Sequence, residues 1–252
     1  KAEVVEEGDD ILSASAGDEH ADQLTAIRPV DLLELEVGYG LVPLVDAAQK
    51  GELLERIRSM RKNFAQKMGF VVPPIHIHDN LQLKPHEYSI IIKGAKVAGG
   101  NMTGQFLAMD SGAATGELAG AKTTEPVFGL PAVWIKAAEK EHAQVSGYTV
   151  VDTTTIMATH ISEIIKKHAH ELVGRQEMQQ LLDNLAASCP KVVDELVPGT
   201  LSLGAVLKVV HNLLKENVSI RDLRTILEIL ADYGGVTKDP EILTEFVRQG
   251  LG

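Results

Sequence analysis

The sequence predicts an α+β fold of several subdomains, two small mixed α/β subdomains followed by an all-helical one. Three observations carry this expectation. The chain has 252 residues, more than one hydrophobic core usually needs. Short strand-like runs are interleaved with isolated helical patterns as far as Asp152, an order that suits mixed α/β units. Beyond Asp152 every periodic segment has helical spacing,.

Composition narrows the functional classes. Hydrophobic residues make up 44% and charged residues 23%, ordinary for a globular chain. The net charge is −11, from 24 basic and 35 acidic residues. That argues against general nucleic-acid binding, which needs a cationic surface. The single cysteine, Cys189, excludes an internal disulfide and fits a reducing compartment. No run of about 18 or more apolar residues suggests a bilayer span. The start, KAEVVEEGDD, lacks the apolar segment of a signal peptide,. It opens on Lys1 rather than a methionine, so a piece of a longer protein is expected.

Residues 1–30 are acidic and poor in large apolar groups, which predicts a flexible linker. Leu32, Leu33, Leu35 and Val37 begin folded structure. Gly51–Met68 reads as a helix with Leu53, Leu54, Ile57, Met60, Phe64 and Met68 on one face,. Arg58 and Lys62 lie on the other, and Gly69 is suited to end it,. In FVVPPIHIHDN, Ile75 and Ile77 alternate with His76 and His78, a half-buried strand pattern. Two histidines at that spacing share a side, but a zinc site needs further ligands and none stands at a recognisable spacing. No metal is expected.

Tyr88–Ile92 and Gln105–Met109 read as strands, with Gly94, Gly99, Gly100 and Gly104 marking connections,. DSGAATGELAGAK reads as a surface loop, since it lacks a Walker phosphate-loop pattern,. Val133–Ile135 predicts a strand, Lys136–Val145 a helix, and Tyr148–Val151 a returning strand,.

Asp152 or Thr153 can cap the next helix. Its buried face is Met157, Ile161, Ile164, Ile165, His168 and Leu172. His168 there is a boundary or core histidine, and His160, His168 and His170 do not converge on one helix face,. Arg175–Ala187 predicts another helix, and Pro190 suits the first turn of a further one,. Two strongly periodic helices follow. The first buries Leu203, Val206, Leu207, Val210, Leu213 and Leu214, and the second Ile220, Leu223, Ile226, Leu227 and Leu230. Burying the second set favours folding by roughly 7–15 kcal/mol in gross transfer. Ser219 and Asp222 have the spacing of a capping box,. Asp239 and Pro240 start a last helix with Leu243, Phe246 and Val247 inside,.

The two periodic helices could form a DNA-reading helix-turn-helix. Only Arg221 and Arg224 would face phosphate, so no nucleic-acid partner is expected,. An enzyme is not expected either. Nucleotide-loop, serine-hydrolase and zinc-protease motifs are missing. Cys189 directly precedes Pro190 in a helix connection, where a lone cysteine is more often structural. No cofactor is expected.

The motifs GRQEMQQLLDNL and PKVVDELVPGTLSLGAVLKVVHNLLKENVSIRDLRTILEILAD resemble the FlhA/InvA-type family of type III export-gate proteins. EVGYGLVPLVD, RIRSMRKNFAQKMGFVVPPIHIHDNLQL, FGLPAVWI and GYTVVDTTTIMATHISEII extend the resemblance in order over residues 31–252. It implies a membrane half preceding the acidic linker and a fourth, C-terminal subdomain following this chain. It divides the rest into a first α/β subdomain (31–103 and 153–172), an inserted α/β subdomain (104–152) and a helical subdomain (173–252).

The resemblance also implies a docking platform at the cytoplasmic face of the bacterial inner membrane. That platform assembles into a nine-membered ring and meets an associated ATPase complex. In the family, export chaperones carrying their substrates bind a hydrophobic dimple. The matching positions are Glu125 and Phe128 in Glu125-Pro126-Val127-Phe128-Gly129-Leu130, Val151, and Thr159. Glu125 stands where the family has Asp, so its reach is longer. For the residues themselves the plainer alternative is that Phe128 and Val151 are core and Thr159 a helix-surface hydroxyl. For the function, the alternative expectation is a mainly structural ring-assembly domain without direct cargo recognition.

Overall fold

The structure, a computed structural model, describes residues 30–46 and 51–252. The expected linker, 1–30, lies outside the described residues apart from Val30.

β1 (Leu33–Val37) alternates as the pleat requires, with Leu33, Leu35 and Val37 buried and Glu34 and Glu36 half-exposed,. It runs through the middle of a four-stranded sheet ordered β2-β1-β3-β4. α1 (Glu52–Met68) lies in the connection between β1 and its parallel neighbour β2 (His76–Asp79), a pairing that demands a long crossover. α1 buries Leu53, Ile57, Phe64 and Met68. β3 (Glu87–Ile92) and β4 (Ala95–Asn101) form a hairpin. Lys93 and Gly94 turn it, both with positive φ (50° and 77°), as a tight hairpin turn needs.

The second sheet is antiparallel throughout, ordered β6-β7-β5-β8. It consists of β5 (Phe106–Met109), β6 (Ala121–Thr124), β7 (Pro131–Ile135) and β8 (Thr149–Asp152). α2 (Lys140–Val145) packs Ala143 into a small cluster with Ala108, Leu118, Val133 and Ile135. The first and last strands are neighbours: Phe106 pairs with Asp152, and the Thr153 hydroxyl donates to the Gly104 carbonyl at 2.8 Å.

Five longer helices complete the chain: α3 (Thr153–Lys167), α4 (Arg175–Ala186), α5 (Leu203–Lys215), α6 (Leu223–Gly234) and α7 (Pro240–Leu251). Their apolar faces and the first sheet's buried face join one hydrophobic core. The α+β class and the helical second half agree with the sequence expectation.

Several local expectations need correction. The glycine-marked stretch after Gly94 is not a plain connection but carries β4. The DSGAATGELAGAK segment is a loop only in its first part, since β6 begins at Ala121. Lys136–Val145 is a turn of tighter helix at Ala137–Glu139 followed by α2. Ser219 does not cap α6. Asp222 does, accepting from the Thr225 amide at 3.1 Å. Ser219 donates its hydroxyl to the Lys67 carbonyl at 2.8 Å, and the Ile220 amide donates to the Met68 carbonyl at 2.9 Å. The last carbonyls of α1 lack partners within their own helix, and the chain before α6 supplies donors. Ile220 is buried in that connection, ahead of the helix.

Candidate docking site

The segment Glu125–Leu130 is a tight turn leading into β7. The Gly129 amide donates to the Glu125 carbonyl at 3.1 Å, and the Glu125 amide to the Leu130 carbonyl at 2.9 Å. Gly129 has φ +71° and open space around it, so glycine is needed there for its backbone alone. The Glu125 side chain folds under the turn. One carboxylate oxygen accepts from the Val127 amide and the other from the Phe128 amide, both at 2.7 Å. Glu125 is 2% exposed, while Phe128 is 66% exposed. Phe128 is therefore not a core residue.

The Glu125 charge also acts on a buried polar pair. The Tyr88 hydroxyl and His160 Nδ1 share a hydrogen bond of 2.6 Å, with their rings edge to face. Burial pushes the Tyr88 phenol upward, and the Glu125 charge adds to that rise. Burial pulls His160 below its ordinary value, with Glu125 opposing. Both groups are accordingly neutral at neutral pH.

Thr159 is adjacent in the chain to His160 but serves a different surface. α1 and α3 begin side by side, where Arg56 lies 3.5 Å from Asp152. Asp152 caps α3 by accepting from the Thr155 amide at 2.8 Å. Burial would raise its carboxyl, but hydrogen bonds from Thr154 and Thr155, with Arg56 nearby, hold it below its usual value. Between the helices runs a groove of about 740 Å³. Met60, Phe64, Met68 and Ala158 contribute its apolar lining. Glu52 and Glu55 stand toward the start of α1, and Lys67 and Lys166 toward the ends of the two helices. Thr159 lines the groove, with its hydroxyl donating to the Thr155 carbonyl at 2.8 Å.

The four residues singled out from the sequence thus occupy different settings. Thr159 lines the groove. Glu125 and Phe128 form the turn, and the Glu125 charge reaches His160, the residue after Thr159. Val151 is half-buried in β8, paired with Leu107 and packed on the main core. Neither Phe128 nor Val151 lines the groove. Sequence reasoning placed Met60, Phe64 and Met68 on the buried face of a helix. The two methionines and the phenylalanine at helical spacing could have suggested an adaptable binding face.

Other polar clusters are ordinary. His76 sits 2.7 Å from Asp31, and His78 sits 3.5 Å from Glu36. Among the described residues, no group of three or more His, Cys, Asp or Glu could hold a metal ion. No helix among them is long and apolar enough to cross a membrane.

Known proteins resemble this chain in sequence and in fold. The chain is 52% identical over 223 residues to the flagellar biosynthesis protein FlhA of Escherichia coli (strain K12), a match covering 88% of this chain and 32% of that protein. It is 47% identical over 250 residues to the flagellar biosynthesis protein FlhA of Bacillus subtilis (strain 168), covering 98% of this chain and 37% of that protein. The chain spans about a third of the length of these curated relatives. In fold it resembles the Chlamydia pneumoniae CdsV protein, with a TM-score of 0.77 and 24% identity over 90% of this chain and 67% of that one. It also resembles nonameric EPEC SctV-C, with a TM-score of 0.68 and 23% identity over 89% of this chain and 67% of that one. The FHIPEP family model matches residues 2–252, and the chain therefore belongs to the FHIPEP family.

Proposed function

We propose that this region is a docking platform of the flagellar type III export apparatus. It binds export chaperones loaded with their substrates and passes the cargo to a membrane gate. It acts by recognition rather than catalysis. The relatives named flagellar biosynthesis protein support the role in flagellum assembly. The single observation that carries docking is Phe128, a large aromatic ring 66% exposed on a hydrogen-bonded turn. Exposed aromatics on rigid supports are common interface anchors. The groove with Thr159, on a separate surface from Phe128, offers an apolar floor with polar ends, suited to an amphipathic helix. In this reading the platform belongs to a membrane protein of the bacterial inner membrane and faces the cytoplasm. It lies near the ATPase complex; a protein of the same fold, Chlamydia pneumoniae CdsV, is solved in complex with a partner protein, CdsO.

Isothermal calorimetry of the chain with a cognate chaperone–cargo complex tests the proposal. A folded Phe128→Ala variant is expected to bind about tenfold or more weakly, as for an interface anchor. Undiminished binding would overturn the anchor assignment.

A second reading is ring assembly without cargo recognition. An exposed patch favours it: Tyr233 stacks on Phe246 with centroids 4.1 Å apart, and Val236 and Ile242 are also exposed. Its fold neighbours include nonameric assemblies. Analytical ultracentrifugation of a Val236→Glu variant separates the readings. Lost self-association with intact cargo binding assigns that patch to the ring and leaves docking to Phe128.

A further inference from the structure

We propose that Glu125 is a positioning residue: its buried carboxylate holds the turn that displays Phe128 and meets no ligand itself. The inference rests on the reading of Phe128 as an anchor. A residue that recognises cargo by charge must present that charge. Glu125 is 2% exposed, and each carboxylate oxygen is already engaged by a backbone amide at 2.7 Å. Its hydrogen-bond partners among the described residues are amides of its own turn, not cations.

The Phe128 ring, by contrast, has little packing to orient it, since 66% of the residue is exposed. Its direction is set by its backbone, and its backbone is set by Glu125. Hydrogen bonds to an ionised acceptor are about twice as strong as neutral ones. The pair therefore keeps Val127 and Phe128 in one conformation before any partner arrives. That lowers the ordering cost of binding. The reach matters as well. A carboxylate can accept at both oxygens, whereas an amide side chain offers one acceptor and turns a donor toward the other N–H.

Amide hydrogen exchange and calorimetry on the full chain test this. In Glu125→Gln, exchange at the Val127 and Phe128 amides is expected to accelerate about ten- to a hundredfold, from losing charge-assisted bonds. Affinity for the chaperone–cargo complex falls, while the salt dependence of that affinity stays as in the parent chain. Glu125→Asp restores part of both the protection and the affinity. In a Phe128→Ala background, Glu125→Gln adds no further loss of binding. Unchanged exchange in Glu125→Gln overturns the proposal, and so does a changed salt dependence, which would mean direct charge contact. If Glu125→Gln fails to fold, Glu125→Asp decides: retained protection at both amides supports positioning, and lost protection with full affinity overturns it. Failure of the anchor reading is separately visible. Phe128→Ala would then bind like the parent while exchange in Glu125→Gln still accelerated.

Discussion

Substituting Gly69 by alanine tests how α1 is joined to the helical half. Gly69 closes α1 with φ +89°, donating its amide to the Ala65 carbonyl at 2.9 Å. A Cβ there would stand 2.4 Å from both Cα and N of Arg221 and 2.7 Å from the Ile220 carbonyl carbon. These are backbone atoms and cannot rotate away. Left-handed backbone costs an L-residue about 1–2 kcal/mol. To relieve the clash, residues 219–221 must withdraw. That breaks the Ile220–Met68 and Ser219–Lys67 hydrogen bonds of 2.9 and 2.8 Å, each worth about 1 kcal/mol net. Gly69→Ala is therefore expected to destabilise the chain by about 3–4 kcal/mol. Gly129→Ala is the control. It shares a positive φ of +71° but meets nothing within 4 Å, so it costs only the backbone strain, about 1–2 kcal/mol. Urea denaturation followed by circular dichroism measures both. Equal losses in the two variants would refute the argument, because then the close approach of the 219–221 backbone contributes nothing.

Two further outcomes follow from the buried polar groups. Burial lowers His160 and His170 from the ordinary value of 6.5, so between those lowered values and 6.5 the unfolded chain binds more protons. Stability is full above pH 6.5 and declines as pH falls below it. The urea midpoint should therefore drop between pH 7.5 and 5.5, and the His160→Gln, His170→Gln double variant should flatten that slope; an unchanged slope contradicts the assignment. Tyr88→Phe leaves His160 Nδ1 without its 2.6 Å partner inside the core, which should cost about 1–3 kcal/mol. A thermal melt within error of the parent would refute it.

The helical half was legible because its apolar residues recur at a period that buried helices impose. Val206, Leu213 and Leu214 of α5 are buried, as are Leu223, Ile226, Leu227 and Leu230 of α6, and each lies on the face that the spacing marked. β4 was not legible. Its sequence, AKVAGGN, has two glycines where a strand usually carries bulk,. The structure supplies the reason, since a Cβ on Gly100 would meet the Tyr88 ring at 2.9 Å. That requirement comes from a different strand. β6, with the sequence AKTT, lacks an apolar alternation because it is an edge strand whose residues are mostly exposed. The cap of α6 was misread because Ser219 is drawn to a carbonyl 152 positions away, a demand no local pattern encodes. At the candidate site, Phe128 and Glu125 could be matched to family motifs. Their opposite exposures could not be read, since a single turn has no periodicity to reveal which side chain folds under it.

The pairing of Phe106 with Asp152 has a mechanical consequence. The chain enters and leaves the second sheet through adjacent antiparallel strands, β5 and β8, clasped by the bond from Thr153 to Gly104. Tension applied along the chain pulls residues 105 and 153 apart at one end of that ladder. Hydrogen bonds in an antiparallel ladder lie perpendicular to the strands, so the load falls on one rung at a time rather than on all together. Under tension the second sheet should open like a zipper from its Gly104–Thr153 end. The parallel β1–β2 pair, with α1 in the connection between its strands, would be sheared along its length and resist further. Pulled by its ends, the chain should lengthen first at residues 106–152.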